Sequence, residues 1–463
     1  MSAFAGSNWS NDRASPEGAA TGPAISTVFL LGAVGVVFGF AVWHATLITR
    51  AVDRAPHNDF GRFYLSVCAF VAGGDMYAWN EAIPARLPSL IDLEVHEIDL
   101  WNMNPPHFHL LILPLAPLPA GIALIAWTAC GVIALCVSLR MIRRELQLDA
   151  HPDLRHIMAI ALLAGVATAV TVVTGQVSWF LMLLVTLVWV HARRGNWVVA
   201  GAWLGVAAAW KPFLLIFLPY LVLQRQWRAL GAVAATAALS YAVGLAVFGV
   251  DTHVSWMRCI GESGNWAWLH INASLWGFLS RAASPNPLYV PLFDVSPGVL
   301  KTVWLLAAGA IGAATVAVAI TDRSAVRLDR AFAMHLTASF LICPLGWNYY
   351  WLLAVGPVVA VALHCELFQG SSGTGRFQQF QRLMLLFAIF AWFAPAYITQ
   401  YVPGRFMTVT VGSVYFWGTF CLWLALVCDA WRHLERPRSW RDLFAKMLPP
   451  AESNRHDVCC GAT

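Results

Sequence analysis

Hydrophobic positions in this chain run together in long blocks, parted by short polar or basic turns, at about 25–49, 107–139, 156–173, 177–192, 197–209, 212–224, 229–249, 301–321, 331–345, 350–367, 381–399 and 407–430. A helix needs about 20 apolar residues to cross a hydrocarbon core, so the pattern predicts an all-α polytopic transmembrane bundle of about twelve spans. The two blocks flanking Lys211 are short for spanning, and the count falls to ten or eleven if they are re-entrant or fused. Two longer polar stretches, about 50–106 and 250–300, remain as loops. Inside the first, Phe60, Phe63, Tyr64, Val67 and Val71 fall on one face at helical spacing. That run is too short to cross a bilayer. It predicts an interfacial helix lying along the membrane surface, with Asp59 at its N-terminal end.

Composition fixes the class. Hydrophobic residues make up 59% of the chain and charged residues only 11%, whereas soluble domains carry roughly a quarter charged residues. The net charge of +5 does not point to nucleic acid; its distribution matters, because cytoplasmic loops collect Lys and Arg. With the N-terminus inside, the loops that must be cytoplasmic carry Arg140/Arg143/Arg144, Arg193/Arg194, Arg225/Arg228, Arg323/Arg327/Arg330 and Arg376/Arg382. The expected organisation is a disordered cytoplasmic tail (1–24), one transmembrane domain (25–430) and a basic cytoplasmic tail (431–463), in the plasma membrane. Ten cysteines are scattered without metal-ligand spacing, so no metal or cofactor is expected.

Asp59 has two readings from the residues alone. A carboxylate at a helix N-terminus is stabilised by the free amides and the helix dipole, which makes it a cap. It also lies on the same side of the membrane as almost every other unusual polar group, which makes it a candidate for chemistry. Lys211 precedes Pro212, so the flanking helices should break there. A lysine in such a break either lines a cavity or snorkels to the interface. Gln176 sits in the turn Thr174-Gly175-Gln176 on that face. Asn102, His107 and His109 add polar groups around the rigid Asn104-Pro105-Pro106, and the two histidines read as interfacial anchors. Asn272 opens a donor-rich stretch, and Arg281 after it is either a phosphate contact or a solvated loop residue.

The order Asp59-Phe60 with Tyr64, then Gly73-Gly74-Asp75-Met76-Tyr77, Asn104-Pro105-Pro106, Gly175-Gln176, Ala200-Gly201 to Lys211-Pro212, Asn272 to Leu275, and Pro344 to Tyr350 resembles glycosyltransferase family 87 over about residues 25 to 430. The resemblance implies a GT-C type fold and an inverting mannosyl transfer from a polyprenyl-phosphate sugar donor to a glycolipid or glycan acceptor. It implies that Asp59 is the general base and that Lys211 lies near the donor phosphate, with Gln176, Asn348, Tyr349, Asn272, Arg281, Tyr64 and Asp75 as further substrate-binding candidates. Family members often carry a histidine in the turn that here reads Trp347-Asn348-Tyr349-Tyr350. Phosphate contact in that turn would then fall to Asn348, Tyr349, Lys211 or Arg281.

Displacing a lipid phosphate from an anomeric carbon needs a base on the attacking hydroxyl and positive charge on the leaving oxygens, and side chains can supply both. The competing class is a transporter or flippase of a lipid-linked sugar. That would place its charges near the bilayer midplane in paired broken helices from related halves. Here the carboxylate lies in an external loop and no halves correspond, which favours the enzyme.

Overall fold

The computed structural model describes residues 42, 45–52, 58–78, 102–151, 155, 158, 159, 162, 165–261, 266–364 and 376–431. The chain forms two units, residues 1–46 and 47–463; Val42, Ala45 and Thr46 represent the first, all helical. Among the described residues of the second, every regular element is helical, and an antiparallel bridge joins Asn272 to Trp347. In chain order the helices are α1 (Asp59–Val71), α2 (Ala120–Glu145), α3 (Val166–Thr174), α4 (Ser178–Arg193), α5 (Trp197–Trp210), α6 (Phe217–Leu223) and α7 (Trp227–Gly261). There follow α8 (Leu275–Ala283), α9 (Pro297–Thr321), α10 (Arg327–Ile342), α11 (Val355–His364), α12 (Arg376–Phe393), α13 (Arg405–Val409) and α14 (Val414–Trp431).

Among the described residues, four stretches are long and apolar enough to cross a membrane, Ala120–Glu145, Trp227–Gly261, Pro297–Thr321 and Arg405–Trp431, and shorter apolar helices occupy the blocks at 177–192, 197–209, 212–224, 350–367 and 381–399. Two blocks differ from the expected spans. The one at 107–139 opens as 3₁₀ turns, Pro106–Leu111 and Leu113–Leu115, and becomes α-helical only at Ala120. Pro105, Pro106, Pro114, Pro117 and Pro119 supply no backbone N–H, so a regular ladder cannot start earlier. The second long polar stretch begins in helix, because α7 runs on to Gly261 across a kink at Gly249. Both terminal tails and most of the first block lie outside the described residues.

Helix α5 packs tightly against α7. A Cβ on Gly205 would fall 2.4 Å from the Val233 carbonyl oxygen, and one on Gly201 would collide with the Ala229 carbonyl. Two glycines one turn apart thus let the backbones touch, and Thr236 Oγ1 donates across the seam to Ala202 O at 2.9 Å. This seam fixes α5, which ends at Lys211.

The short helix α1 does not lie on a surface. Leu65, Ser66, Cys68 and Ala69 are buried along with Phe60, Phe63, Tyr64 and Val67, while Val71 is exposed. Gly61, Ser66, Cys68 and Ala69 are small enough to admit neighbours on the face that periodicity assigns outward. α1 therefore packs inside a cluster with Phe108, Ile112, Leu124 and Trp127.

Candidate active site

Asp59 is the first residue of α1, and Asn58 caps the helix: its Oδ1 accepts from Gly61 N at 2.8 Å. The cap is thus supplied without Asp59, whose carboxylate is left for other partners. Gln176 Nε2 donates to Oδ2, and Arg62, one turn along the helix, reaches Oδ1 at 3.3 Å. About a quarter of the Asp59 side chain remains exposed. Gln176 is presented by Gly175, which ends α3 at φ 66° and lies so close to Phe60 that a Cβ would fall 2.5 Å from the phenylalanine Cβ. Trp127 Nε1 donates to Gly175 O at 2.8 Å, and Asn58 Nδ2 reaches Val173 O at 3.4 Å. The end of α3 and the start of α1 are clamped together around the carboxylate.

Lys211 occupies the expected break, with extended backbone (φ −138°, ψ 93°) between α5 and the 3₁₀ turn Pro212–Ile216. Its ammonium donates to Asn104 Oδ1 at 2.7 Å and lies 6.0 Å from the centre of the Tyr350 ring. Burial pushes this amine, which lies outside both flanking helices, down to about 8, and the charge of Asp59 opposes that fall. An anionic phosphate would satisfy the remaining N–H groups.

The wall between these charges comes from two turns joined at the bridge. Ala273 N donates to Gly346 O at 2.7 Å and Asn348 N to Ile271 O at 2.9 Å. Arg62 extends over the Trp266 ring, 5.7 Å from its centre, and so ties α1 to the first of these turns. In the second, Tyr349 and Tyr350 are buried, and Asn348 is fully buried with neither side-chain polar atom hydrogen-bonded. A buried amide with spare capacity is costly unless something fills it.

The other candidates sit differently. Asn272 is a clasp, donating to Ala267 O and Pro344 O and accepting from Ser274 N. Arg281 is neither solvated nor on a loop: it lies in α8, fully buried, donating to Ser413 Oγ, Leu269 O and Asn272 O, with Nη2 unpartnered. Tyr64 donates to Leu118 O at 2.6 Å inside the α1 cluster. Asp75 accepts from Tyr77 N and Ser255 Oγ at the exposed end of the loop. His107 and His109 are buried rather than interfacial, bonded to Ala209 O and Pro105 O. Arg62, Asn104 and Trp266 were not singled out as site residues; the i,i+3 spacing of Asp59 and Arg62 was the one local signal available.

A bundle of apolar helices that holds a partly open carboxylate and, in a helix break, a half-buried lysine is the arrangement expected of a polytopic membrane enzyme. The chain matches glycosyltransferase family 87 over residues 102–345, more than half its length, and belongs to that family. Lys211, Gln176, Asn272 and Arg281 fall inside the matched stretch; Asp59, Tyr64, Asp75, Asn348 and Tyr349 fall outside it. The chain is 27% identical over 379 residues, 76% of its length and 79% of the relative's, to a polyprenol-phosphate-mannose-dependent alpha-(1-2)-phosphatidylinositol mannoside mannosyltransferase from Mycolicibacterium smegmatis. No solved structure matches it. The protein is a membrane glycosyltransferase.

Proposed function

We propose that this protein transfers mannose from a polyprenyl-phosphate sugar to a cell-envelope glycolipid or glycan, with inversion, on the extracytoplasmic face of the plasma membrane. The observation that carries the reading is Asp59, freed from capping and held by Gln176, with its charge felt by Lys211 in the break after α5. In this reaction the acceptor oxygen forms a bond to the anomeric carbon as the bond from that carbon to the phosphate oxygen breaks. Asp59 takes the hydroxyl proton, and the departing polyprenyl phosphate leaves with its negative charge beside Lys211. Gln176 and Arg62 keep the carboxylate in one orientation, so its free lone pairs face the acceptor. Asn348 and Tyr349, in the turn that carries no histidine, complete the donor side. The donor named for the mycobacterial relative supports the same choice of substrate.

The reading extends to about twelve spans in a domain of residues 25–430, with both termini cytoplasmic. The ends of α2 and α4 and the start of α10, where arginines gather, would then face the cytoplasm, and Asp59 the outside.

The test uses purified protein, polyprenyl-phosphate-[¹⁴C]mannose and a membrane-lipid extract as acceptor. Formation of an α-mannoside, with release of polyprenyl phosphate, is expected. Translocation of the labelled donor across vesicles without a new glycosidic bond would replace this reading with a flippase.

A further inference from the structure

The partner of Lys211 stands at one end of a buried chain of hydrogen bonds whose direction is fixed throughout. Asn104 Oδ1 accepts from the Lys211 ammonium, which can only donate. Asn104 Nδ2 must then face away, and it donates to Asn102 Oδ1 at 3.1 Å. That oxygen also accepts from the Asn104 backbone N–H, so the Asn102 amide cannot be turned around. Asn102 Nδ2 in turn donates to His109 Nε2 and, at 2.9 Å, to Ser66 Oγ. His109 meets the Nδ2 group as an acceptor because its other nitrogen, Nδ1, faces Pro105 O, which can only accept. Burial pushes His109 down to about 3, so the ring stays neutral.

The backbone of residues 102–104 is clamped as tightly. Asn102 O accepts from Cys259 Sγ, Met103 O from Trp256 Nε1 at 3.2 Å, and Asn104 O from Tyr77 Oη at 2.7 Å. Asn102, Asn104, His109 and Ser66 are all buried. Ser66 belongs to α1, the helix that starts at Asp59 and lies seven residues, about 10 Å of helix, further on. The side-chain bonds of these four residues converge on one cation.

We propose that His109, Asn102 and Ser66 are positioning residues, forming with Asn104 a one-way strut that aims the Lys211 ammonium and ties it to the helix bearing Asp59. Such a strut fixes the spacing between base and leaving-group cation, on which transfer geometry depends. Without the histidine as acceptor, Asn102 Nδ2 loses the bond that holds the amide from behind, and its hold on Asn104, and through it on the lysine, loosens.

The test compares the full-length parent with His109→Leu and His109→Gln, each also on a Lys211→Ala background. Leucine cannot accept from Asn102, whereas glutamine accepts through Oε1 and donates to Pro105 O. His109→Leu should raise KM for polyprenyl-phosphate-mannose about tenfold, with kcat changed by less than about threefold. His109→Gln should recover most of it, and once Lys211 is alanine the leucine should add no more than about twofold. A persistent loss on that background would mark a merely structural residue and overturn the proposal.

A second readout does not involve transfer: the rate at which Lys211 is acylated by a water-soluble amine reagent, followed by peptide mass spectrometry. Faster acylation in His109→Leu than in the parent is expected, and equal rates overturn the strut. Only the kinetic arm rests on the glycosyl-transfer reading proposed above. A parent that transfers nothing, with acylation faster in His109→Leu, removes that reading and supports the strut. Should His109→Leu not fold, Ser66→Ala removes a single hydroxyl, and it should shift both readouts about two- to threefold in the same direction; no shift overturns the proposal.

Discussion

Where α2 and α4 finish and α10 begins, charge is closed in on charge. Arg193 bridges Glu145 at 3.2 Å and Asp329 at 2.6 Å, Trp189 Nε1 adds a bond to Asp329, and Arg194 reaches Glu145 at 2.8 Å. Beside them Arg330 is fully enclosed between Asp322 and Asp429 at 2.5 and 2.8 Å, so the ends of α9 and α14 are pinned to α10. At the other end of α5, about 20 Å along its axis, Asp59 is partly open, Gln176 Oε1 is unbonded and the Asn348 amide has no partner. A cavity of about 390 Å³, lined by Arg323, Arg327, Gln224 and Trp197, lies at the first end and is not lined by any of these groups. Buried charges that compensate one another hold helices together. Polar capacity left unused within reach of a carboxylate marks where a substrate belongs.

Substitutions at the two ends should therefore separate activity from stability. Asp59→Asn keeps size and the Gln176 contact but cannot take a proton. Transfer of labelled mannose should fall by about two to four orders of magnitude while the thermal midpoint in detergent moves little. Arg330→Met does the reverse. It strands Asp322 and Asp429 in the interior and should cost about 3–5 kcal/mol of stability, with the kcat of the folded fraction unchanged. A stable, inactive Arg330→Met or an unstable, active Asp59→Asn would erase the distinction between the ends.

Gly175→Ala lies on the border between the two effects. Its φ of 66° disfavours a side chain, and the new methyl would press on Phe60. The cost should be about 1–3 kcal/mol, and because Gln176 moves with it, transfer should fall as well. Transfer equal to the parent's in the folded fraction would show that Gln176 does not orient the base.

The break at Lys211 was legible in the chain because a proline forces it whatever the surroundings. The alternation of basic turns was legible too, since charge sorting needs no tertiary contact. The cap was not: Asn58 and Asp59 cap about equally well, and only the approach of Val173 and Gln176 selects between them. Gln176 meets Asp59 across 117 residues, and His107 finds the Ala209 carbonyl across 102. No periodicity carries such pairings, so local reasoning left both histidines at the interface. The solvated-loop reading of Arg281 failed for the same reason, its partners being a hydroxyl on a distant turn and two carbonyls behind it.

The smallest expected effect concerns the cation at the candidate site. Burial holds Lys211 near 8, with Asp59 opposing. A lowered amine value means the ammonium is present below about pH 8 and lost as pH rises through it, so donor kcat/KM should decline on the alkaline side with an inflection close to 8. The profile of kcat reports the enzyme with donor bound, and a phosphate beside the amine favours its charged form. That inflection should therefore sit higher than the one in kcat/KM. Lys211→Arg keeps its charge throughout this range, so the alkaline decline should disappear, while the larger planar head binds the donor several-fold more weakly at pH 7. An alkaline limb unchanged in Lys211→Arg would assign the titration to another group and leave Lys211 as a structural cation, like those at the opposite end.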